Sequence, residues 1–254
     1  SLVDRILARK PAPGWWELGG SLPPGAPNDL YVRLIRELQG RGAKCLLDAD
    51  DELLKIGVQA NPYLIKPNEY EFERLVGRSL PDESALLQAA REVALRGVKI
   101  VALTLGHKGA LVVTPDQAFR ASTPPVEVKS KVGAGDSFLA GCVLALSQGR
   151  ALEEALRMAM AAGAAAVMND GTQLCRRQDV ERLVSQVKIE PVSIPTTRNP
   201  KAPRTTFVRD VVCGMEVDPS LTPFRAARGA QVFHFCSLNC RERFLADERR
   251  TPGA

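Results

Sequence analysis

Apolar residues follow two alternating patterns along the chain up to about Lys188. Short apolar runs typical of buried strands occupy residues 44–47, 63–65, 98–105, 109–114 and 119–128. Helical spacing, or apolar side chains on all sides, predicts helices over residues 83–96, 133–148, 152–168 and 178–187. Strands separated by helices predict an α/β fold, with a mainly parallel sheet covered by helices on both faces.

The pattern changes after Lys188. Residues 189–207 contain four prolines among Thr, Arg and Lys residues, and this composition predicts an extended linker with little to bury. Residues 208–248 form a short unit with a predicted strand at 231–235 and a predicted helix beginning near Cys240. Such a small unit usually needs a metal or another staple. The sequence therefore predicts an α/β domain over 1–188, a linker over 189–207 and a small domain over 208–248.

Composition narrows the functional class. At 254 residues and 45% hydrophobic content, the chain can bury a substantial core, and no apolar stretch is long enough to span a membrane. The net charge of +5 comes from basic residues scattered among acidic ones, so neither nucleic acid nor a membrane is an expected partner. No signal peptide is evident, and we expect a cytoplasmic protein. The chain opens at Ser1 rather than Met, which suggests a fragment or a processed product.

A glycine-rich segment carries the strongest candidate chemistry. Gly133, Ala134 and Gly135 stand at a predicted helix start, where unpaired N–H groups and the helix dipole bind anions. Asp136 would lie beside a bound phosphate and could deprotonate a hydroxyl group. A dinucleotide fingerprint needs a small residue in place of Phe138, and a Walker loop needs Gly-Lys-Ser/Thr, so both are excluded. The alternative interpretation is a helix start with a capping aspartate.

Other polar and glycine residues follow the predicted strands. The carboxyl ends of parallel strands meet at one edge of a sheet, where ligands bind. Lys66 could neutralise a phosphate there, and Asn68 and Glu71 share the first turn of a helix and could hold a hydrated Mg²⁺. Gly106 and Gly109 form a turn that brings backbone against a nucleotide. A capping box at Asn68 and Glu71, and simple turns at the glycines, are the alternatives.

Five motifs, in this order, resemble those of the PfkB (ribokinase-like) sugar kinases, most of all the phosphofructokinase branch. They are Gly-Ser-Leu-Pro-Pro-Gly at 20–25, residues 66–71, residues 104–109, Gly-Ala-Gly-Asp at 133–136 and Asn-Asp-Gly-Thr at 169–172. The similarity covers about residues 1 to 188. It implies a ribokinase-like fold, ATP-dependent phosphorylation of a sugar-phosphate hydroxyl and a homodimer as one expected assembly.

The resemblance also implies a role for each matching residue. Asp136 would accept the hydroxyl proton, and the N–H groups of residues 133–135 would stabilise charge on the transferring phosphoryl group. Asn68 and Glu71 would organise Mg²⁺, and Lys66 would reach the nucleotide phosphates. The nucleotide pocket would be lined by Thr104, Gly106, Gly109, Asn169 and Thr172.

Two features depart from the family. Its members carry roughly a hundred further residues before the point that matches Ser1, including a sugar-binding segment and a small lid sheet that would exclude water. Lys131 stands where the family usually has a threonine, just before the anion-binding segment. Two hypotheses therefore stay open: a sugar-phosphate kinase with an appended metal-binding unit, and a non-catalytic kinase remnant that displays a metal sensor or carrier.

The six cysteines fall into two groups. Those in apolar or helical settings, which predict inert thiols, are Cys45, Cys142 and Cys175. Cys213, Cys236 and Cys240 have the spacing Cys-x22-Cys-x3-Cys, which brings thiolates together at the scale of a tetrahedral metal site. A cytosolic protein keeps thiols reduced, so a metal is favoured over a disulfide.

The surroundings of these cysteines resemble the YHS/TRASH metal-binding domains over about residues 208–248. The matching residues are Val212-Cys213-Gly214-Met215, residues 233–237 and Cys240. The resemblance implies a heavy-metal ion as a partner and leaves the fourth ligand open. Imidazole from His234 would suit Zn²⁺, and thioether from Met215 would suit Cu⁺. Ordinary packing is the alternative for both side chains.

Overall fold

The structure is a computed structural model and describes residues 14–194, 208–214, 216, 217, 219, 222, 224–229, 231–236 and 238–247. Seven strands form a sheet in the order in which they follow along the chain. They are β1 (Trp15–Gly19), β2 (Lys44–Asp48), β3 (Leu64–Ile65), β4 (Ile100–Thr104), β5 (Ala110–Val113), β6 (Ala118–Ala121) and β7 (Ile189–Val192). Two short hairpins follow. They pair β8 (Val208–Arg209) with β9 (Glu216–Val217), and β10 (Arg225–Arg228) with β11 (Gln231–His234).

Helices connect most of these strands. They are α1 (Leu30–Gly40), α2 (Asp51–Gly57), α3 (Glu69–Val76), α4 (Glu83–Leu95), α5 (Ala134–Ser147), α6 (Leu152–Val167), α7 (Arg177–Val184) and α8 (Leu238–Ala246). Within the part of the chain that the structure describes, none of them is both long enough and apolar enough to cross a bilayer.

The chain divides into two compact units. The first contains the described parts of Ser1–Tyr63 and Thr196–Ala254, together with Arg74–Arg78. In it, β1 and β2 run parallel, and α1 packs on β2 through buried leucines at i, i+4 spacing such as Leu34 and Leu38.

The second unit, Leu64–Glu73 with Ser79–Pro195, contains the remaining strands of the large sheet. In it, β3 runs parallel to β4, whereas β5, β6 and β7 each pair antiparallel with the strand before them. Every residue of β5 is buried, as expected for a strand covered on both faces. Helix α4 packs on β4 and β5, and α6 packs on β6 and β7. The predicted fold class is confirmed, with an antiparallel meander at one side of the sheet.

The predicted helices end within three residues of the observed ones, but several boundaries and elements differ. The strand predicted to reach Val128 ends at Ala121, and β1, α1 and α2 were not predicted. The segment Ile189–Val192 was assigned to the linker, yet it forms β7. Pro191 is tolerated because β7 is the last strand of the sheet order, where a missing N–H need not leave a ladder bond unmade. Residues 195–207 of the predicted linker lie outside the described residues.

Two glycines allow α5 and α6 to approach each other closely. A Cβ atom added at Gly141 of α5 would lie 2.9 Å from the Met158 carbonyl oxygen and 3.0 Å from the Ala162 Cβ. A Cβ atom added at Gly163 of α6 would lie 3.2 Å from the Ala134 carbonyl oxygen, at the start of α5. The position of the glycine-rich helix start therefore depends on this tight contact.

We expect Gly141→Ala to destabilise the protein by about 1–3 kcal/mol, because overpacking forces backbone to shift. The matched control is Gly40→Ala, at the end of α1, where an added Cβ meets nothing within 4 Å. Alanine is a better helix former than glycine by about 0.5–1 kcal/mol, so this control should be neutral or stabilising. Urea denaturation of both variants measures the difference, and equal effects would contradict the packing argument.

Candidate functional site

Lys66 lies against the first turn of α5. It follows β3 directly and is buried, with 8% of its surface exposed. A Cβ atom added at Gly135 would lie 3.1 Å from the Lys66 Nζ, so the absence of a side chain makes room for the ammonium group. The structure thus brings together two predicted site residues that are far apart in sequence.

Helix α5 begins in the way predicted for an anion site. Gly133 precedes the helix with a φ of 76°, a conformation that favours glycine. The N–H group of Ser137 donates to the Gly133 carbonyl oxygen at 2.9 Å, and the N–H groups before it belong to the helix end that has no intrahelical acceptors. The Asp136 side chain lies exposed in this first turn, and the buried Ser137 follows it.

Asn68 and Glu71 are hydrogen-bonded to each other at the start of α3. Asn68 donates its backbone N–H to Glu71 Oε2 at 2.9 Å and its side-chain Nδ2 to Glu71 Oε1 at 2.6 Å. In return, the Glu71 N–H donates to Asn68 Oδ1 at 2.9 Å. This reciprocal pattern is a capping box, the alternative that the sequence had left open. Carboxylate and amide oxygens are also the ligand types that Mg²⁺ binds, so the residue types of this pair fit a hydrated Mg²⁺ as well.

The end of β4 lies beside this helix start. Thr104 forms a parallel bridge with Asn68, and its N–H donates to the Pro67 carbonyl oxygen at 3.0 Å. The chain then turns through Gly106, with a φ of 60°, and Gly109, with a φ of 102°. A Cβ atom at Gly109 would lie 1.9 Å from the Ala121 carbonyl oxygen, so any larger residue there would displace β6.

The side chain of Asn169 holds together the loop that follows α6. It is buried, and its Nδ2 donates to the carbonyl oxygens of Ala165 at 3.0 Å and Leu174 at 3.3 Å, while Thr172 is exposed in the loop that these bonds close. Ser130, which was not predicted, links this loop to the glycine-rich segment. Its hydroxyl donates to the Gly171 carbonyl oxygen at 2.8 Å and accepts the N–H of Val132 at 3.2 Å. A serine two residues before a turn is the local signal that could have indicated it.

The three predicted cysteines converge in the small C-terminal unit. Cys213 lies in the turn between β8 and β9, Cys236 follows β11, and Cys240 lies in the first turn of α8. Their sulfur atoms are 3.4 Å apart between Cys213 and Cys236, and 3.6 Å apart between Cys236 and Cys240. Around this cluster, Phe233 and Phe235 pack on Phe244 with ring centroids 4.8 and 5.0 Å apart. The sulfur atoms are thus close enough to bind one ion.

A fourth polar residue, Asp210, completes the cluster and was not predicted. Its carboxylate and the three thiols offer ligand atoms that all lie within 4.8 Å of one another. Asp210 Oδ1 accepts the N–H of Val212 at 2.8 Å, and Oδ2 accepts the N–H of Cys236 at 2.9 Å. The signal in the sequence was the spacing Asp210-x2-Cys213, which matches that of paired ligands in structural zinc sites.

The cluster is electrostatically unusual because a fully buried carboxylate lies among thiols. Burial raises the pKa of Asp210, but hydrogen bonds from the Cys236 and Val212 N–H groups and from the thiols of Cys236 and Cys240 lower it below its ordinary value. Burial, together with the Asp210 carboxylate, raises the pKa of the Cys236 thiol to about 11. Without a cation, the site therefore favours protonated sulfur beside charged oxygen.

Neither of the two residues predicted as a possible fourth ligand is found among the clustered ligand atoms of the described residues. His234 is not in the group of ligand atoms within 4.8 Å of one another, and Met215 lies outside the described residues. Arg36 of α1 belongs, like the cluster, to the first of the two compact units, and its Nη1 lies 4.0 Å from Cys236 Sγ. Its Nη2 is buried and has no hydrogen-bond partner within the described parts of the chain.

The cysteines predicted to be inert differ from the cluster in their surroundings. Cys45 and Cys142 are buried, and burial raises their thiol pKa values to about 11 and about 12. Cys175 is partly exposed, whereas Cys213 of the cluster is exposed. The exposure of Cys213 gives the cluster a path to solvent.

Known proteins resemble the larger part of the chain. Residues 16–179 match the family described as pfkB family carbohydrate kinase. The ATP-dependent 6-phosphofructokinase isozyme 2 of Escherichia coli (strain K12) is 38% identical over 168 residues, which cover 65% of this chain and 54% of that protein. The 1-phosphofructokinase of the same strain is 32% identical over 174 residues, covering 68% and 56%. The chain thus spans about half the length of the curated relatives it matches.

A solved structure agrees with the fold. The phosphofructokinase-2 of Escherichia coli in complex with potassium superimposes with a TM-score of 0.69 and 35% sequence identity, covering 72% of this chain and 60% of that one. This similarity confirms the ribokinase-like fold. The family match ends at residue 179, before the cysteine cluster, so the resemblance of that part to YHS/TRASH domains stays a prediction.

Proposed function

The chain belongs to the pfkB family of carbohydrate kinases, and from this premise we propose that its protein transfers a phosphoryl group from ATP to a hydroxyl group of a sugar phosphate. The two relatives named above phosphorylate fructose phosphates according to their names, which supports a phosphofructokinase-like substrate. Because the chain spans about half of their length, the activity is a proposal for the whole protein. The cytoplasmic location and the homodimer likewise stay predictions.

The single observation that carries the proposal is the contact between Lys66 and the start of α5. The positive end of a helix dipole and a buried ammonium group lie side by side here, and each of them attracts an anion. Phosphate is such an anion, and the Lys66 Nζ and the N–H groups of residues 133–135 would hold it from two sides. Asp136, in the same turn, would accept the proton of the attacking hydroxyl group.

ATP would be bound as its magnesium complex, in which the metal neutralises phosphate charge. Asn68 and Glu71 would hold the hydrated ion through the oxygen atoms of their capping box. Thr104 and the turn through Gly106 and Gly109 would contact the nucleotide. Asn169 would act by holding the loop that carries Thr172 rather than by touching the nucleotide, since its amide donates to two carbonyl oxygens.

We further propose that the small C-terminal unit binds one heavy-metal ion through Cys213, Cys236 and Cys240. Tetrahedral zinc with Zn–S bonds of about 2.3 Å requires sulfur atoms about 3.8 Å apart. The observed separations of 3.4 and 3.6 Å need only a small expansion. The division into an α/β domain, a linker and a metal-binding domain also remains a proposal, with the end of the first part moved beyond β7.

Asp136→Asn should abolish turnover and leave the Kd of ATP within a few-fold, because loss of a general base costs on the order of 10²–10⁴ in rate. The test uses a form of the protein that spans the full length of its relatives and measures kcat with fructose 6-phosphate. Asp116→Asn, in the exposed turn between β5 and β6, is the control and should keep wild-type kcat. Wild-type turnover in the Asp136 variant would refute the assigned role.

Lys66→Met should weaken binding of Mg-ATP to this chain at least about tenfold, since a hydrogen bond to a charged group contributes about 1.5–3 kcal/mol. Lys99→Met is the matched control, because Lys99 is exposed and precedes β4 at the end opposite to Thr104. Calorimetry measures both affinities, and thermal melting checks that each variant folds. We expect negligible sugar-dependent ATP consumption by this chain alone. Equal ATP affinity in a folded Lys66 variant would contradict the phosphate contact.

Cys240→Ser should reduce bound metal from about one ion per chain to background, because a structural site needs its full set of thiolates. Cys175→Ser removes a cysteine outside the cluster and should retain the ion. Elemental analysis of the purified full chain, grown with zinc or with copper, decides the result. Full metal retention by the Cys240 variant would contradict the three-thiolate site.

A further inference from the structure

We propose that Asp210 is the fourth metal ligand, so that the C-terminal unit holds a divalent ion, Zn²⁺ in the first place, in a site of three sulfur atoms and one oxygen atom. This inference rests on the proposed three-cysteine metal site. In this site the fourth ligand is a carboxylate oxygen, rather than the imidazole of His234 or the thioether of Met215.

The backbone brings Asp210 to the cluster. It directly follows β8, and the N–H of Gly214 donates to its carbonyl oxygen at 2.7 Å, which closes the turn before β9. Gly214 has a φ of 77°, a conformation that allows this turn. Asp210 and Cys213 are therefore presented by one tight turn, and Cys236 and Cys240 by the end of β11 and the start of α8. Two ligands from each side is the usual construction of a structural zinc site.

The hydrogen bonds of Asp210 leave room for a metal bond. The carboxylate has about four lone-pair positions. Oδ1 accepts the N–H groups of Val212 and Cys213, at 2.8 and 3.4 Å, whereas Oδ2 accepts one N–H, from Cys236, at 2.9 Å. The thiols of Cys236 and Cys240 also hydrogen-bond to this carboxylate. Cysteine binds a metal ion as the thiolate, so metal binding would replace these thiol contacts, and the backbone bonds would orient the carboxylate as a ligand.

The charge of the four ligands and the hardness of the carboxylate oxygen favour Zn²⁺ over Cu⁺. Three thiolates and one carboxylate, of which only Cys213 is exposed, repel one another, and a divalent cation offsets more of this charge than a monovalent one. The Arg36 guanidinium group, 4.0 Å from Cys236 Sγ, adds a further positive charge. A carboxylate oxygen is a hard ligand that suits Zn²⁺ but contributes little to Cu⁺, which prefers sulfur.

The experiment compares four forms of the full chain: wild type, Asp210→Ala, Asp210→Cys and His234→Gln. Competition with a chromogenic chelator gives the Zn²⁺ and Cu⁺ affinities, and X-ray absorption of the zinc-loaded chain counts sulfur and oxygen neighbours. We expect three sulfur atoms and one oxygen atom in the wild type. Asp210→Ala should lower Zn²⁺ affinity at least about 10- to 100-fold and Cu⁺ affinity far less. His234→Gln should match the wild type.

Asp210→Cys separates a ligand from a merely structural residue. A cysteine cannot replace the backbone hydrogen bonds of the carboxylate, but it can occupy its ligand position, so Zn²⁺ affinity should persist with four sulfur neighbours. Unchanged Zn²⁺ affinity in Asp210→Ala, three sulfur neighbours in Asp210→Cys, or loss of zinc in His234→Gln would overturn the assignment of Asp210. A wild-type chain that binds no metal would instead contradict the three-cysteine site itself.

Discussion

The buried ammonium group of Lys66 is the interaction on which the polar edge of the second unit depends. A buried charge is costly unless polar groups surround it. Two features of the chain set the surroundings of Lys66. Strand β3 has only two residues, so Lys66 directly follows the segment that pairs with β4. Gly135 has no side chain, so it leaves space for the ammonium group beside the start of α5. The tight packing of α5 on α6 in turn fixes where Gly135 lies. An anion-binding position thus follows from packing as much as from charge.

The start of α3 illustrates how one set of atoms supports both folding and ligand binding. The capping box between Asn68 and Glu71 satisfies N–H groups at the start of the helix and so stabilises it. It also holds a carboxylate in one orientation beside the end of β4. Because a preformed carboxylate loses little entropy when it binds a hydrated ion, the structural and functional interpretations of this pair are compatible.

Local patterns in the sequence predicted the regular elements better than the contacts among them. Helical spacing located α4, apolar runs located α5 and α6, and cysteine spacing located the cluster. Helix α1 was missed, although its leucines follow helical spacing, and β7 was missed because prolines favoured a linker over an edge strand. The partners of Lys66 could not be predicted from residue types, since the contact with Gly135 joins segments brought together only by the fold. Asp210 was not predicted, because structural metal sites use cysteine and histidine far more often than aspartate.

The cysteine cluster contains a conflict that a cation would resolve. In the absence of a metal, the low pKa of Asp210 and the high pKa of Cys236 place protons on sulfur, and hydrogen bonds between thiols and carboxylate hold the cluster together. Among its described residues, the small C-terminal unit buries few large apolar side chains, including Phe233, Phe235 and Phe244, so its stability depends strongly on this polar centre. A divalent ion replaces weak thiol hydrogen bonds by metal–sulfur bonds and neutralises the buried carboxylate at the same time. Binding and folding of this unit are therefore expected to be coupled, since the same four side chains determine both.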